Sequence, residues 1–228
     1  MSFKKFQPEV RFNGEKIDPD EINRVETYTI ACPYAETAGS AFVGTVAAGK
    51  SGDAAGAFVI TNQQLDYPRN LKLTIVNTAG SLNAGTVAVT GQNQFGEAIT
   101  ENIGYALGTA TQGKAGTKIF SKVTAATITW GTGQVQNGTA FLGVAGGTES
   151  GSNVFWLGLP VRIGAAADVV GLSWANNFVA KPLNAGTPSA LIDTVNHSFT
   201  GTAVMGTADF YHVRVISSYN SENKPVLA

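Results

Sequence analysis

A chain of 228 residues, 43% of them hydrophobic, can bury a sizeable core without staples, and its single cysteine, Cys32, excludes an internal disulfide and a multi-cysteine metal site. The formal net charge of −1 gives no electrostatic case for nucleic acid or an anionic membrane as a partner. No run approaches the roughly 20 apolar residues that span a bilayer, and Met1 to Pro8 has no apolar stretch after its lysines, so no secretory signal is expected.

Residues 1–26 stand apart. They carry eleven charges, from Lys4 to Glu26, whereas the other 202 residues share the remaining twenty. Asp18-Pro19-Asp20-Glu21 has the chemistry of a helix start: Asp18 can cap, Pro19 suits the first helical position, and Glu21 can reach back as a capping-box acid. A short helix over about 19–24 is expected, preceded by an extended arm over 1–17. Capping explains these acids better than calcium, because the glycine and closing glutamate of a calcium loop are missing.

From Val25 onward the signals are those of strands. Val25–Ile30 is rich in β-branched and aromatic residues, and Leu71, Leu73 and Ile75 alternate onto one face. Thr86–Thr90 and Glu97–Ile103, joined by Gly91-Gln92-Asn93-Gln94-Phe95-Gly96, read as a hairpin with a six-residue connection. Ile119-Phe120 and Val123–Trp130 give another strand region, and further strands are expected at Val154–Leu159, Val169–Trp174, Ala190–Val195 and Phe210–Ile216, the last with Tyr211, Val213 and Val215 on one face. No apolar pattern at helical spacing persists for three turns, and 27 glycines punctuate the gaps. The expected fold is therefore all-β: a β-sandwich or jelly-roll-like body over 27–228 behind the arm of 1–26, with a hinge or long loop near 143–153. Its polarity comes from Thr, Ser, Asn and Gln; charged residues are only 14% of the chain, against about 25% in an ordinary domain. A free domain stays soluble with mixed charges, so a neutral body suits a surface covered by neighbours.

Few residues invite chemistry. Gly44-Thr45-Val46-Ala47-Ala48-Gly49-Lys50-Ser51 spells a phosphate-binding loop, but such a loop must open a helix, and the following Gly52-Asp53-Ala54-Ala55-Gly56 is a poor one. A near match ending at Lys114 lacks the magnesium ligand. Asp193, His197 and Ser198 are close in sequence, which says little about a triad, since triads are spatial. His212 sits in an apolar strand and reads as structural. Cys32 reads as a small buried hydrophobe. Trp130, Trp156 and Trp174 read as core or subunit-contact anchors, with a sugar-stacking platform as the alternative. Asn137 and Asn196 begin glycosylation sequons that have no meaning without export. No catalytic, cofactor or metal residues are expected, and the chain is not expected to be an enzyme.

Pro68-Arg69-Asn70 with the strand Leu71–Ile75, then Thr90-Gly91, Gly96-Glu97-Ala98-Ile99-Thr100-Glu101, and Gly116-Thr117-Lys118-Ile119-Phe120 follow one another in an order that resembles β-rich virion proteins of tailed phages. The resemblance covers about residues 68–130 and, more weakly, 195–216. It implies a capsid-associated role, such as a head decoration (cement) protein, often trimeric, and it transfers no catalytic residues. The expected partners are a major capsid protein and further copies of the chain, and the expected location is the virion, assembled in host cytoplasm. Phe3, Phe6, Arg11, Phe12 and Arg24 of the arm are the expected assembly contacts. A head-fibre or tail-associated glycan-binding module is the alternative.

Overall fold

The computed structural model describes residues 10–12, 15–17, 24–31, 43–50, 55–77, 83–106, 112–131, 137–144, 155–176, 179–182, 191–200 and 210–217. They form an all-β, sandwich-like body. Its spine is β7 (Gln64–Asn77), and every side chain from Arg69 to Ile75 is buried. Leu71, Leu73 and Ile75 point into the larger core, while the opposite face is also covered; a strand with both faces covered sits centrally in its fold.

Around this spine the ladder closes on itself. β7 pairs with β11 (Asn137–Val144), β11 with β4 (Gly44–Lys50), and β4 with β6 (Val59–Ile60). One residue before β6, the Phe58 N–H donates to the Ala126 carbonyl, and β5 (Gly56–Ala57) pairs with β10 (Gln112–Thr129), which returns to β7. The ring encloses the larger core, with Val87, Val89, Phe120, Val123, Ile128 and Leu142 almost fully buried. Trp130 belongs to it, edge-on to Tyr105 at 6.3 Å, as expected for a core anchor. The hairpin of β8 (Gly85–Gln92) and β9 (Ala98–Tyr105) extends the same sheet from β10.

The second core lies between β7 and a four-stranded antiparallel sheet. That sheet consists of β14 (Val179–Pro182), β13 (Val169–Asn176), β17 (Phe210–Ser217) and β3 (Arg24–Ala31), in that order. Tyr211, Val213 and Val215 share its inner face, as their alternation predicts, and meet Phe155, Leu159, Ile163 and Phe199. Phe199, in the short β16 (Ser198–Phe199), stands edge-on to Tyr211 with ring centroids 5.8 Å apart. Two more short strands, β12 (Leu157–Gly158) and β15 (Ile192–Asp193), pair with β16 and complete this flank. A 3-10 turn at Ala166–Asp168 leads into β13, and Asp168 accepts the Gly164 and Ala165 N–H groups.

Several expectations need correction. The strand region expected over Ile119-Phe120 and Val123–Trp130 is longer on its N-terminal side: it is one 18-residue strand, Gln112–Thr129, kept continuous by bulges. The hairpin connection is five residues, 93–97, because Gly91 and Gln92 still pair with β9. Within the arm, β1 (Val10–Phe12) and β2 (Glu15–Ile17) pair as a ladder of their own, placing Val10 opposite Ile17. Arg24 opens β3 opposite Ser217; the rest of the expected helix, residues 19–23, lies outside the described residues, as does most of the expected loop near 143–153.

The motifs that carry the resemblance meet at one junction. Between Ala115 and Ile119 strand β10 bulges, so that Gly116, Thr117 and Lys118 face the single residue Leu71 of β7. Glu101 of β9 fills the bulge: its Oε1 accepts the Thr117 N–H (2.6 Å), the Thr117 hydroxyl (3.1 Å) and the Lys118 N–H (3.2 Å). Gly116 is required because a Cβ there would collide with the Glu101 carboxylate. On the other side Asn70, fully buried, donates its amide to the Gly116 carbonyl (2.8 Å) and accepts the Trp156 N–H (2.8 Å). Beside it the buried Arg69 pairs with Asp66 at 3.0 Å. Pro68 lies where β7 bulges against β10 between Gln64 and Arg69, so its missing N–H breaks no ladder bond. Gly91 sits where a Cβ would meet the Lys122 carbonyl.

Candidate functional site: the hairpin-tip cleft

The tip of the β8–β9 hairpin is built by Asn93. Its side-chain oxygen accepts the Phe95 and Glu97 N–H groups, both at 2.9 Å, its own N–H donates to the Glu97 carbonyl, and its carbonyl accepts the Gly96 N–H. Gly96 takes φ +79°, a left-handed conformation that glycine adopts without steric cost. Ser121 of β10 holds the turn from behind, donating to the Asn93 carbonyl at 2.6 Å.

This tip leans on two segments from the other flank. The Gln94 amide donates to the carbonyls of Asn196 (3.0 Å) and His197 (3.1 Å). The Arg162 guanidinium pairs with Glu97 and lies over the Phe95 ring, 4.4 Å from its centroid. Phe95 in turn meets the His197 ring edge-on at 5.6 Å. Between these groups is a cleft of about 260 Å³, lined mainly by Asn93, Gln94, Glu97, Lys118, Arg162 and His197. A larger recess of about 460 Å³ beside Tyr105 is walled largely by Gly104, Ala106 and Gly113 and offers less chemistry.

The electrostatics follow from these contacts. Hydrogen bonds from Asn93 and then Arg162 hold the Glu97 carboxyl below its ordinary range. Burial, reinforced by the Arg162 charge, pushes the His197 imidazole down. His197 Nδ1 accepts the Ile163 N–H at 3.3 Å, so in the neutral ring the proton resides on Nε2. His197 itself has φ +46°, in the left-handed region where histidine is one of the better-tolerated side chains.

No triad assembles at Asp193, His197 and Ser198. Asp193 caps its own turn, accepting the Val195 and Asn196 N–H groups and the Asn196 amide. The His197 nitrogen that a triad acid would hold is occupied by Ile163, and the Ser198 hydroxyl is buried. The phosphate-loop spelling at Gly44–Lys50 is strand β4, paired along its length with β11, so those residues do not form a loop around an anion. Lys114 is likewise in a strand, opposite Leu73. His212 is a sheet residue, its Nδ1 3.2 Å from the Thr29 hydroxyl. Trp156 fixes Asn70 through its backbone, and Trp174 lies in β13 opposite Tyr211. Asn137 begins β11, and the Asn196 amide is bonded to Asp193. Among the described residues no group of three His, Cys, Asp or Glu could hold a metal. Of the expected assembly contacts, Arg11 and Phe12 lie in β1 and Arg24 in β3; Phe3 and Phe6, like Cys32 and Asp18–Glu21, lie outside the described residues.

The cleft residues Asn93, Gln94, Glu97, Lys118 and Arg162 were not anticipated from sequence. Asn93 and Gly96 carry a readable turn signal; Arg162 carries none, because it lies 65 positions from the glutamate it meets. Comparison with protein-family models, with curated proteins and with solved structures finds no match.

Proposed function

We propose that the chain is a structural virion subunit that binds the outside of a phage capsid and stabilises it through its arm and its β body. One observation carries the reading. The outer face of β8, β9 and the second half of β10 exposes Ala88, Thr90, Gln92, Ala98, Thr100, Asn102, Gly104, Thr124, Ala125 and Thr129, without one charge among them. Lys122, opposite Gln92, bounds it at one end. Small uncharged side chains on a broad sheet face suit close contact with a protein neighbour, whereas a free surface normally intersperses both signs of charge.

The resemblance in residues 68–130 supports the same reading. Its recurring letters hold a bulge, a hairpin and two cores together, which is what a shell subunit under load requires. The partners in this proposal are the major capsid protein and further copies of the chain as a trimer, in the virion, with Phe3, Phe6, Arg11, Phe12 and Arg24 on the arm as assembly contacts. The test is light scattering of the purified protein, alone and with capsids that lack it. A trimer that loads at fixed stoichiometry, with weaker loading after deletion of residues 2–24, is the expected result. A monomer that ignores capsids would overturn the proposal.

A further inference from the structure

We propose that residues 93–97 are held against the opposite flank by a latch that opens in acid, with the His197 ring as its pin. The geometry is that of a ring wedged at a three-way contact. Its Nδ1 is tied to the Ile163 N–H, its edge meets Phe95, and its own carbonyl accepts both the Gln94 amide and the Leu159 N–H, the latter at 2.7 Å. The left-handed backbone at His197 aims the ring into this contact and costs energy that the surrounding bonds must offset.

A proton arriving at the ring must bind Nδ1, since Nε2 already carries one. It therefore displaces the Ile163 N–H and creates a cation beside Arg162. The charged groups facing the ring are Glu97 from the hairpin, Arg162 from the 159–163 segment and Asp193 from its own turn, with Lys118 of β10 also lining the cleft. Polar contact with the Ile163 backbone and then the two carboxylates would favour the cation, but the Ile163 group at Nδ1 is an N–H donor that a proton there would oppose, Asp193 is bonded to Val195 and Asn196, and Glu97 to Asn93 and Arg162. Burial and Arg162 prevail, and the imidazole is held below its ordinary 6.5. The open form then binds more protons than the closed one between that ordinary value and the lowered one, so closure weakens as pH falls through this window and is fully present above it. Glu97 adds to the same sense at lower pH, because its bonds to Asn93 and Arg162 weaken on protonation.

Hydrogen-exchange protection, corrected for intrinsic rate, tests this at pH 7.5 and pH 5.0. Protection of the Phe95, Gly96, Glu97 and Ile163 amides should fall on acidification, while the β17 ladder keeps its protection. His197→Asn, which tolerates the left-handed backbone and stays neutral, should show no such pH dependence. Equal loss in His197→Asn would overturn the proposal. Should that variant not fold, the ring resonances of wild-type His197 decide: hairpin-tip shifts that move with His197 titration support the latch, and tip shifts indifferent to it refute it.

Discussion

Two glutamates four positions apart, Glu97 at the tip of the hairpin and Glu101 in its second strand, show two ways of using a carboxylate. Glu101 accepts backbone N–H groups of Thr117 and Lys118 and lies against Gly116. Glu97, more than half exposed, accepts from the Asn93 side chain and from Arg162. Backbone donors in a bulge cannot move away without undoing the ladder, so Glu101 is part of the frame. Side-chain donors at a tip can turn to water, so the Glu97 cluster can open while both cores stay intact. The difference separates a lock that specifies the fold from a contact that can respond to conditions.

The strongest way to break the comparison lies at the lock. Asn70→Ala leaves the Gly116 carbonyl and the Trp156 N–H without their partner and should cost about 2–4 kcal/mol in urea unfolding; a loss below 1 would show that water or a shifted strand replaces the amide. Gly91→Ala forces a Cβ against the Lys122 carbonyl, a backbone atom that cannot rotate aside, and should cost about 1–3 kcal/mol by the same measurement.

Gly116→Ala should cost a similar amount in the wild-type background, about 1–3 kcal/mol. Its obstacle is the Glu101 side chain, so in a Glu101→Ala background most of that cost should vanish. Additive losses in this cycle would mean that Glu101 is not what the glycine accommodates. Glu97→Gln should be the mildest change, leaving the melting temperature at pH 7 unaltered within error, because exposed ion pairs contribute little. The contribution of the carboxylate is present above the ordinary carboxyl value of 4.5 and lost as pH falls through the lowered folded value, so variant and wild type should stay indistinguishable in acid as well.

Strand chemistry was legible wherever alternation was strict. Val25–Ile30, Leu71–Ile75, the β8–β9 hairpin and Phe210–Ile216 all lie where β-branched residues and period-two patterning put them. Gly44–Lys50 and Asn137–Val144 were missed, since their alanines and glycines carry little β signal and their pairing with each other and with β7 supplies the order. The poor helix signal after Lys50 was enough to set the phosphate-loop spelling aside, but not to reveal the strand: a local motif cannot report that its backbone N–H groups are already in a ladder.

By itself the sequence determined the class of fold, the concentration of charge in the first 26 residues, the low charge of the rest and the turn chemistry of Asn93 and Gly96. Those properties are local or compositional, and local physics is written in neighbouring letters. Only the tertiary structure decided that β10 is one bulged strand, that Asn70, Glu101 and Gly116 form a single lock, and that Arg162 and His197 meet the hairpin tip. Each of those contacts joins residues at least 15 positions apart, and which distant groups meet is settled by the packing of the two cores.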